Sequence, residues 1–135
     1  MQVMETFDDA QQKQFMEQGY LRLGKVLTPD ELVALQGRID AIMLGEIPYK
    51  KMLFQLDGKS EEYGQMESNS YGNKGASLAY RRITGLEQDP LFLNYMQHPV
   101  FRAIAKYFIG DHVSVFRAMF MNKPANQGTI LPWHQ

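Results

Sequence analysis

The run VSVFRAMFMN, from Val113 to Asn122, limits the possible folds of this chain more than any other stretch. Side chains alternate between the two faces of a strand. Val113, Val115, Arg117, Met119 and Met121 then share one face, and Ser114, Phe116, Ala118 and Phe120 the other. Both faces are largely apolar, which predicts a strand buried on both sides. Arg117 is the odd residue in it. A buried guanidinium requires an anion, supplied either by a carboxylate of the protein or by a bound molecule.

The residues after that strand are equally specific. Lys123-Pro124 closes it, Asn126, Gln127 and Gly128 supply turn chemistry, and Ile130 and Leu131 resume an apolar pattern. The reading is strand, turn, second strand, with His134 on the second strand. Alone, a histidine is more often a packed or hydrogen-bonded side chain than a ligand.

Composition narrows the class of protein. With 135 residues, 44% of them hydrophobic, the chain fits one domain or part of a larger one and has material for a core. Fourteen Lys and Arg against fifteen Asp and Glu leave no electrostatic footprint for nucleic acid. The basic pairs Lys50-Lys51 and Arg81-Arg82 read as solvated or salt-bridged. Without cysteine, neither a disulfide framework nor a thiolate metal site is possible. The acidic N-terminus lacks the pattern of a signal peptide, and no apolar run is long enough to span a bilayer. A soluble, cytoplasmic protein with no membrane partner is expected.

Upstream, helices and strands are mixed. Thr6 is a candidate cap for a first helix with Asp8 and Asp9 in its opening turn, Phe15 and Met16 facing inward, and Gly19 as its stop. Alternation from Tyr20 to Val26 suggests a short strand. Thr28-Pro29-Asp30-Glu31 combines an N-cap, a proline at the first helical position and a glutamate three residues after the cap. The helix it opens should run to about Leu44 with Leu32, Leu35, Ile39, Ile42 and Met43 on its core stripe. Strands are expected at Met52–Leu56 and Leu78–Thr84, separated by a polar stretch reaching Gly75 that reads as a mobile lid or a disordered segment, with Tyr63 and Tyr71 either anchoring it or contacting a substrate. Asp89-Pro90 and His98-Pro99 each start a helix, His98 as a cap, and His112 after Gly110-Asp111 should be exposed.

Asn122-Lys123-Pro124, then Gly128, then Trp133-His134-Gln135 resembles the approach to the first iron ligand in the phytanoyl-CoA dioxygenase family. FMEQGYLRL, from Phe15 to Leu23, resembles the family's opening helix and strand. Tyr80-Arg81-Arg82-Ile83, Leu86-Glu87, Asp89-Pro90, His98-Pro99 and Gly110 are similar to its middle segment. The resemblance implies an α+β chain carrying the N-terminal helices and first strands of a double-stranded β-helix, a cupin-like jelly roll, incomplete here. Residues 1–135 would be the front of a single domain cut within the metal motif.

It further implies Fe(II) as cofactor, 2-oxoglutarate as cosubstrate, and dioxygen and a small organic molecule as substrates. His134 would be the first metal ligand, and Arg82 and Met119 would help hold 2-oxoglutarate. A lysine is common in the family where Arg82 stands. Arg117, on the face of Met119 by the strand pattern, is an independent candidate for the cosubstrate's carboxylate. No residue of the chain is assigned as catalytic in itself.

Spacing gives the metal motif a physical reason. A carboxylate two residues after His134 would lie on the same strand face, and two histidines with one carboxylate leave three positions open on an octahedral ferrous ion. A single imidazole cannot do this, so the remaining C-terminal part of the domain would be needed. In halogenases of the family a small residue replaces the carboxylate. The alternative reading is a non-catalytic structural or interaction fragment. An incomplete barrel would leave strand edges and apolar faces uncovered, which predicts poor solubility and a non-monomeric state.

Overall fold

The computed structural model describes residues 6–58, 67–125 and 128–133. The first helix, α1, spans Asp9–Gln18. Its cap is Asp8 rather than Thr6, because Asp8 accepts from the Gln11 amide while the Gln11 side chain accepts in return from the Asp8 amide. Gly19 ends it in the left-handed conformation, φ 76°, as the sequence suggested. No residue of α1 is buried, and Met16 is 70% exposed. The helix is held through Phe15, whose ring lies 4.7 Å from that of Phe108.

Helix α2, Pro29–Met43, follows its sequence signal closely. Thr28 caps it, Glu31 accepts from the Thr28 amide at 2.8 Å, and that hydrogen bond holds the Glu31 carboxyl below its ordinary value. Only the C-terminal half of the expected stripe is buried: Ile39, Ile42 and Met43 are in the core, while Leu32 is exposed. The alternation from Tyr20 to Val26 forms no strand; no neighbouring strand pairs with it among the described residues.

Four antiparallel strands make one sheet in the order β2-β1-β3-β4: β1 is Leu53–Leu56, β2 Ser70–Tyr71, β3 Tyr80–Thr84 and β4 Met119–Met121. Mixed helices and a small antiparallel sheet are compatible with an α+β fragment. Between β1 and β3, Gln55 faces Arg82 but Leu56 faces Tyr80, so Arg81 is the extra residue of a bulge. The bulge brings Tyr80 to the core side, its ring 5.3 Å from Phe54. Tyr80 is bonded there too, accepting from the Lys74 amide and donating to the Gly75 carbonyl. Burial raises its pKa.

One sheet face packs on α2. Ile39, Ile42, Met43, Met52, Phe54, Tyr80, Ile83 and Leu86 form the buried cluster. A 3-10 turn at Leu86–Gln88 leads to α3, Pro90–Met96, and then to α4, Pro99–Ile109. Asp89, fully buried, joins these parts. It accepts from the Leu91 and Phe92 amides at 2.9 and 3.3 Å and from the Tyr49 hydroxyl at 2.6 Å, with Arg38 at 3.7 Å. His98 caps α4 as expected, its Nδ1 accepting from the Val100 amide at 3.2 Å.

Three sequence expectations are corrected here: the length of the strand, its burial, and the second strand after the turn. Strand β4 covers three residues instead of ten, and 113–117 is exposed rather than buried on both sides. Phe116 is almost fully exposed, so apolar content did not translate into burial: no described layer covers this stretch. Residues 128–133 make no second strand. Residues 59–66 of the polar stretch lie outside the described residues; from residue 67 it supplies β2 and a hydrogen bond to the sheet, and Tyr71 is an exposed residue of β2. Tyr63 lies outside the described residues.

Candidate functional site

Cross-strand partners share a face of a sheet, and the register therefore sorts the candidate residues. Gln55, Arg82 and Met121 form one row, and Leu53, Thr84 and Met119 the next. These rows lie on the face opposite Phe54, Ile83 and Phe120, away from α2. Arg82 and Met119, picked out from separate parts of the sequence, are thus brought to one face on adjacent strands. Met119 and Met121 are 42% and 49% exposed.

Arg82 is only half satisfied. Its Nη2 donates to Asn69 Oδ1 at 2.9 Å, while its buried Nε has no acceptor among the described residues. A buried guanidinium N–H without a partner is costly, and a carboxylate bound on this face would complete its fork. The segment that carries Asn69 also crosses the face at Glu67, whose carbonyl accepts from Gln55 Nε2 at 2.7 Å. That contact explains why a glutamine on the open face is buried.

Arg117 does not join this group. It lies before β4, exposed, its guanidinium 5.8 Å from the Phe116 ring centroid. The demand for a counter-anion derived from its burial therefore lapses. Arg81, at the bulge, is the buried one, 6% exposed, where the sequence suggested a solvated or salt-bridged basic pair. His134 lies outside the described residues, and Trp133 just before it is fully exposed.

Beside Arg81 a cleft of about 160 Å³ opens at the end of β3 and β4, lined by Asp57, Arg81, Met121, Lys123, Thr129 and Leu131. The NKP segment forms its wall, and its residues have structural work to do. The Asn122 amide donates to the Arg81 carbonyl at 2.8 Å, and its side chain donates to the Leu78 and Tyr80 carbonyls at 3.2 and 3.0 Å. Gly128, φ 132°, lies so close to Lys123 that an added Cβ would stand 2.8 Å from the lysine Cγ. Across the cleft, Asp57 accepts from the Thr129 hydroxyl at 2.6 Å and from its amide at 3.3 Å.

Sequence reasoning missed Asp57, Asn69, Arg81 and Asn122 as site builders. Nothing local to Asp57 signals a partner in Thr129. Among the described residues no group of three His, Cys, Asp or Glu could hold a metal ion, and no helix is long and apolar enough to cross a membrane. Compared with known proteins, residues 15–135 match the family model described as phytanoyl-CoA dioxygenase (PhyH). Neither curated proteins nor solved structures yield a match.

Proposed function

The chain belongs to the phytanoyl-CoA dioxygenase family, whose membership suggests an oxygenase-type enzyme, and from that premise we propose that it is the front portion of an Fe(II)- and 2-oxoglutarate-dependent dioxygenase that hydroxylates a small organic molecule. The observation that carries this reading is Arg82: a guanidinium on the open sheet face beside Met119 and Met121, with a buried N–H lacking an acceptor among the described residues. A 2-oxoglutarate carboxylate fits that position in charge and in hydrogen-bonding chemistry.

In this reading Arg82 binds the carboxylate, Asn69 orients the guanidinium, and Met119 and Met121 line the apolar side of the site. Arg117 is a weaker candidate for the same carboxylate, available only if a further layer covers it. His134 supplies one metal ligand. The other two, and the strands that close the jelly roll, come from the part of the domain after Gln135. Bound Fe(II), with 2-oxoglutarate and dioxygen, supplies the oxidative chemistry, and the protein supplies orientation and exclusion of water. The small-molecule substrate binds over the same face.

The test begins with the reading frame beyond Gln135. The reading expects aspartate directly after Gln135 and a second histidine further on, the two donors that a ferrous facial triad requires besides His134. A small residue in place of the aspartate makes the chain a halogenase. Protein from the complete frame should convert 2-oxoglutarate to succinate with Fe(II), and His134→Ala should abolish it. A frame that offers no further ligands, or turnover that survives His134→Ala, rejects the proposal.

Exposed apolar side chains at Phe116, Met119, Met121 and Trp133 favour a second reading, a non-catalytic interaction module. A sharp monomer peak with cooperative melting of the 135-residue chain counts against that module.

A further inference from the structure

We propose that Thr84 is a second binding residue for the cosubstrate, its hydroxyl donating to the same carboxylate that Arg82 holds. This rests on the dioxygenase reading above, and it concerns a residue that the reading leaves without a role. The strand register places Thr84 two residues after Arg82 on β3, on the same open face, with Leu53 of β1 on one side and Met119 of β4 on the other. Along the strand the two residues are about 6.5 Å apart. A carboxylate that accepts at one oxygen from the guanidinium and at the other from the hydroxyl, through bonds of about 2.8 Å each, bridges such a gap.

The hydrogen bonds of this face leave two neighbouring donors over. Gln55 spends its amide on the Glu67 carbonyl, and Arg82 spends Nη2 on Asn69. Arg82 Nε has no acceptor among the described residues, and neither has the hydroxyl of the half-buried Thr84. Packing does not call for that hydroxyl. Leu53 and Met119 beside it are apolar, and valine, equally branched at Cβ, would fill the same place in the strand without a polar group to satisfy. A threonine here serves something outside the sheet.

The backbone under Thr84 is also fixed before any ligand arrives. β3 is paired on both sides, and just beyond Thr84 the Gly85 amide donates to the Ala118 carbonyl at 2.9 Å while the Ala118 amide donates to the Glu87 carboxylate at 3.2 Å. The end of β3 is thereby fastened to the start of β4. Donors held in place in this way lose little freedom on binding, so the hydroxyl contributes affinity without an ordering cost of its own.

The experiment uses protein from the complete reading frame, supplied with Fe(II) in the absence of oxygen and titrated calorimetrically with 2-oxoglutarate. Thr84→Val, Thr84→Ser, Arg82→Met and the double variant Arg82→Met/Thr84→Val are compared with the parent, and each is melted alongside. Thr84→Val should weaken 2-oxoglutarate about tenfold, the order of one hydrogen bond to a charged group, while melting no lower than the parent. Thr84→Ser keeps the hydroxyl and should bind close to the parent. Because both donors serve one carboxylate, the double variant should lose clearly less than the product of the two single losses.

Parent-like affinity in Thr84→Val, an equal loss in Thr84→Ser, or losses that simply multiply in the double variant overturn the role of Thr84. With affinity lost in Arg82→Met, those outcomes leave the dioxygenase reading intact. Parent-like affinity in Arg82→Met overturns the carboxylate site on which that reading rests.

Discussion

The two faces of the sheet are built on opposite principles. On the α2 side Ile42, Phe54, Tyr80 and Ile83 are all at 0% exposure, and even the polar Tyr80 hydroxyl is bonded. On the other side Met119 and Met121 remain open and Arg82 keeps an N–H without an acceptor among the described residues. One face is closed by its own residues, whereas the other is arranged for something else to close it. Stability should therefore depend on the first face and ligand binding on the second.

The largest effect expected is on the closed face. Phe54→Ala should cost about 3–5 kcal/mol, since it empties a packed site against Tyr80. Met121→Ala on the open face should cost under about 1 kcal/mol, because a half-exposed methionine loses little burial. Urea unfolding of both variants checks the contrast. Equal losses would mean that the open face is covered in solution, by another copy or by more of the chain.

Asp89 comes next, because it holds the layer behind the core together. Asp89→Ala removes a helix cap and leaves the Tyr49 hydroxyl and two α3 amides without their acceptor. A loss of about 2–4 kcal/mol is expected, and Asp89→Asn, which keeps one acceptor for the amides, should lose less. Thermal melting compares them. If the two variants melt alike, the ion pair with Arg38 outweighs the cap.

These contrasts also mark which features are legible in the sequence. The capping box at Thr28–Glu31, the Pro-marked starts of α3 and α4, and the glycine stop of α1 are local signals, and each appears where the residues place it. Face assignment within the sheet is not local. The bulge at Arg81 changes which side Tyr80 serves, and no pattern in YRRIT announces it. Apolar alternation at 113–117 could not reveal whether a second layer lies over it, which is why the expected buried Arg117 is exposed while Arg81 is buried. The Asp57–Thr129 bond was hidden for the same reason: its two halves are far apart in sequence and individually ordinary.

Tyr49 extends the closed side's contrast to pH. Burial, followed by its hydrogen bond to Asp89, pushes the Tyr49 hydroxyl up to about 12 from 10. A raised folded-state value means that the protonated phenol is favoured in the native state. Its contribution is fully present below pH 10 and is lost as pH rises toward about 12. Tyr49→Phe should cost about 1 kcal/mol at neutral pH. The stability gap between the parent and Tyr49→Phe should then narrow from pH 10 to about 12. A gap that stays constant across that range would place the hydroxyl outside the Asp89 network.

Arg82 should show the smallest effect on stability and gives the most direct test of the open face. Arg82→Met surrenders one hydrogen bond to Asn69 but also removes a buried N–H that has no partner among the described residues. The two effects oppose each other, so the folded state should change by no more than about 1 kcal/mol in either direction. Binding should respond differently. In protein from the complete reading frame, Arg82→Met should weaken 2-oxoglutarate by roughly ten- to a hundredfold, the loss of charge-assisted hydrogen bonds to a carboxylate worth about 1.5–3 kcal/mol. Calorimetric titration with 2-oxoglutarate beside thermal melting separates the two quantities. A variant that melts much lower yet binds 2-oxoglutarate normally would reverse the assignment, making Arg82 part of the closed, structural side of the sheet and leaving the open face without its anion-binding group.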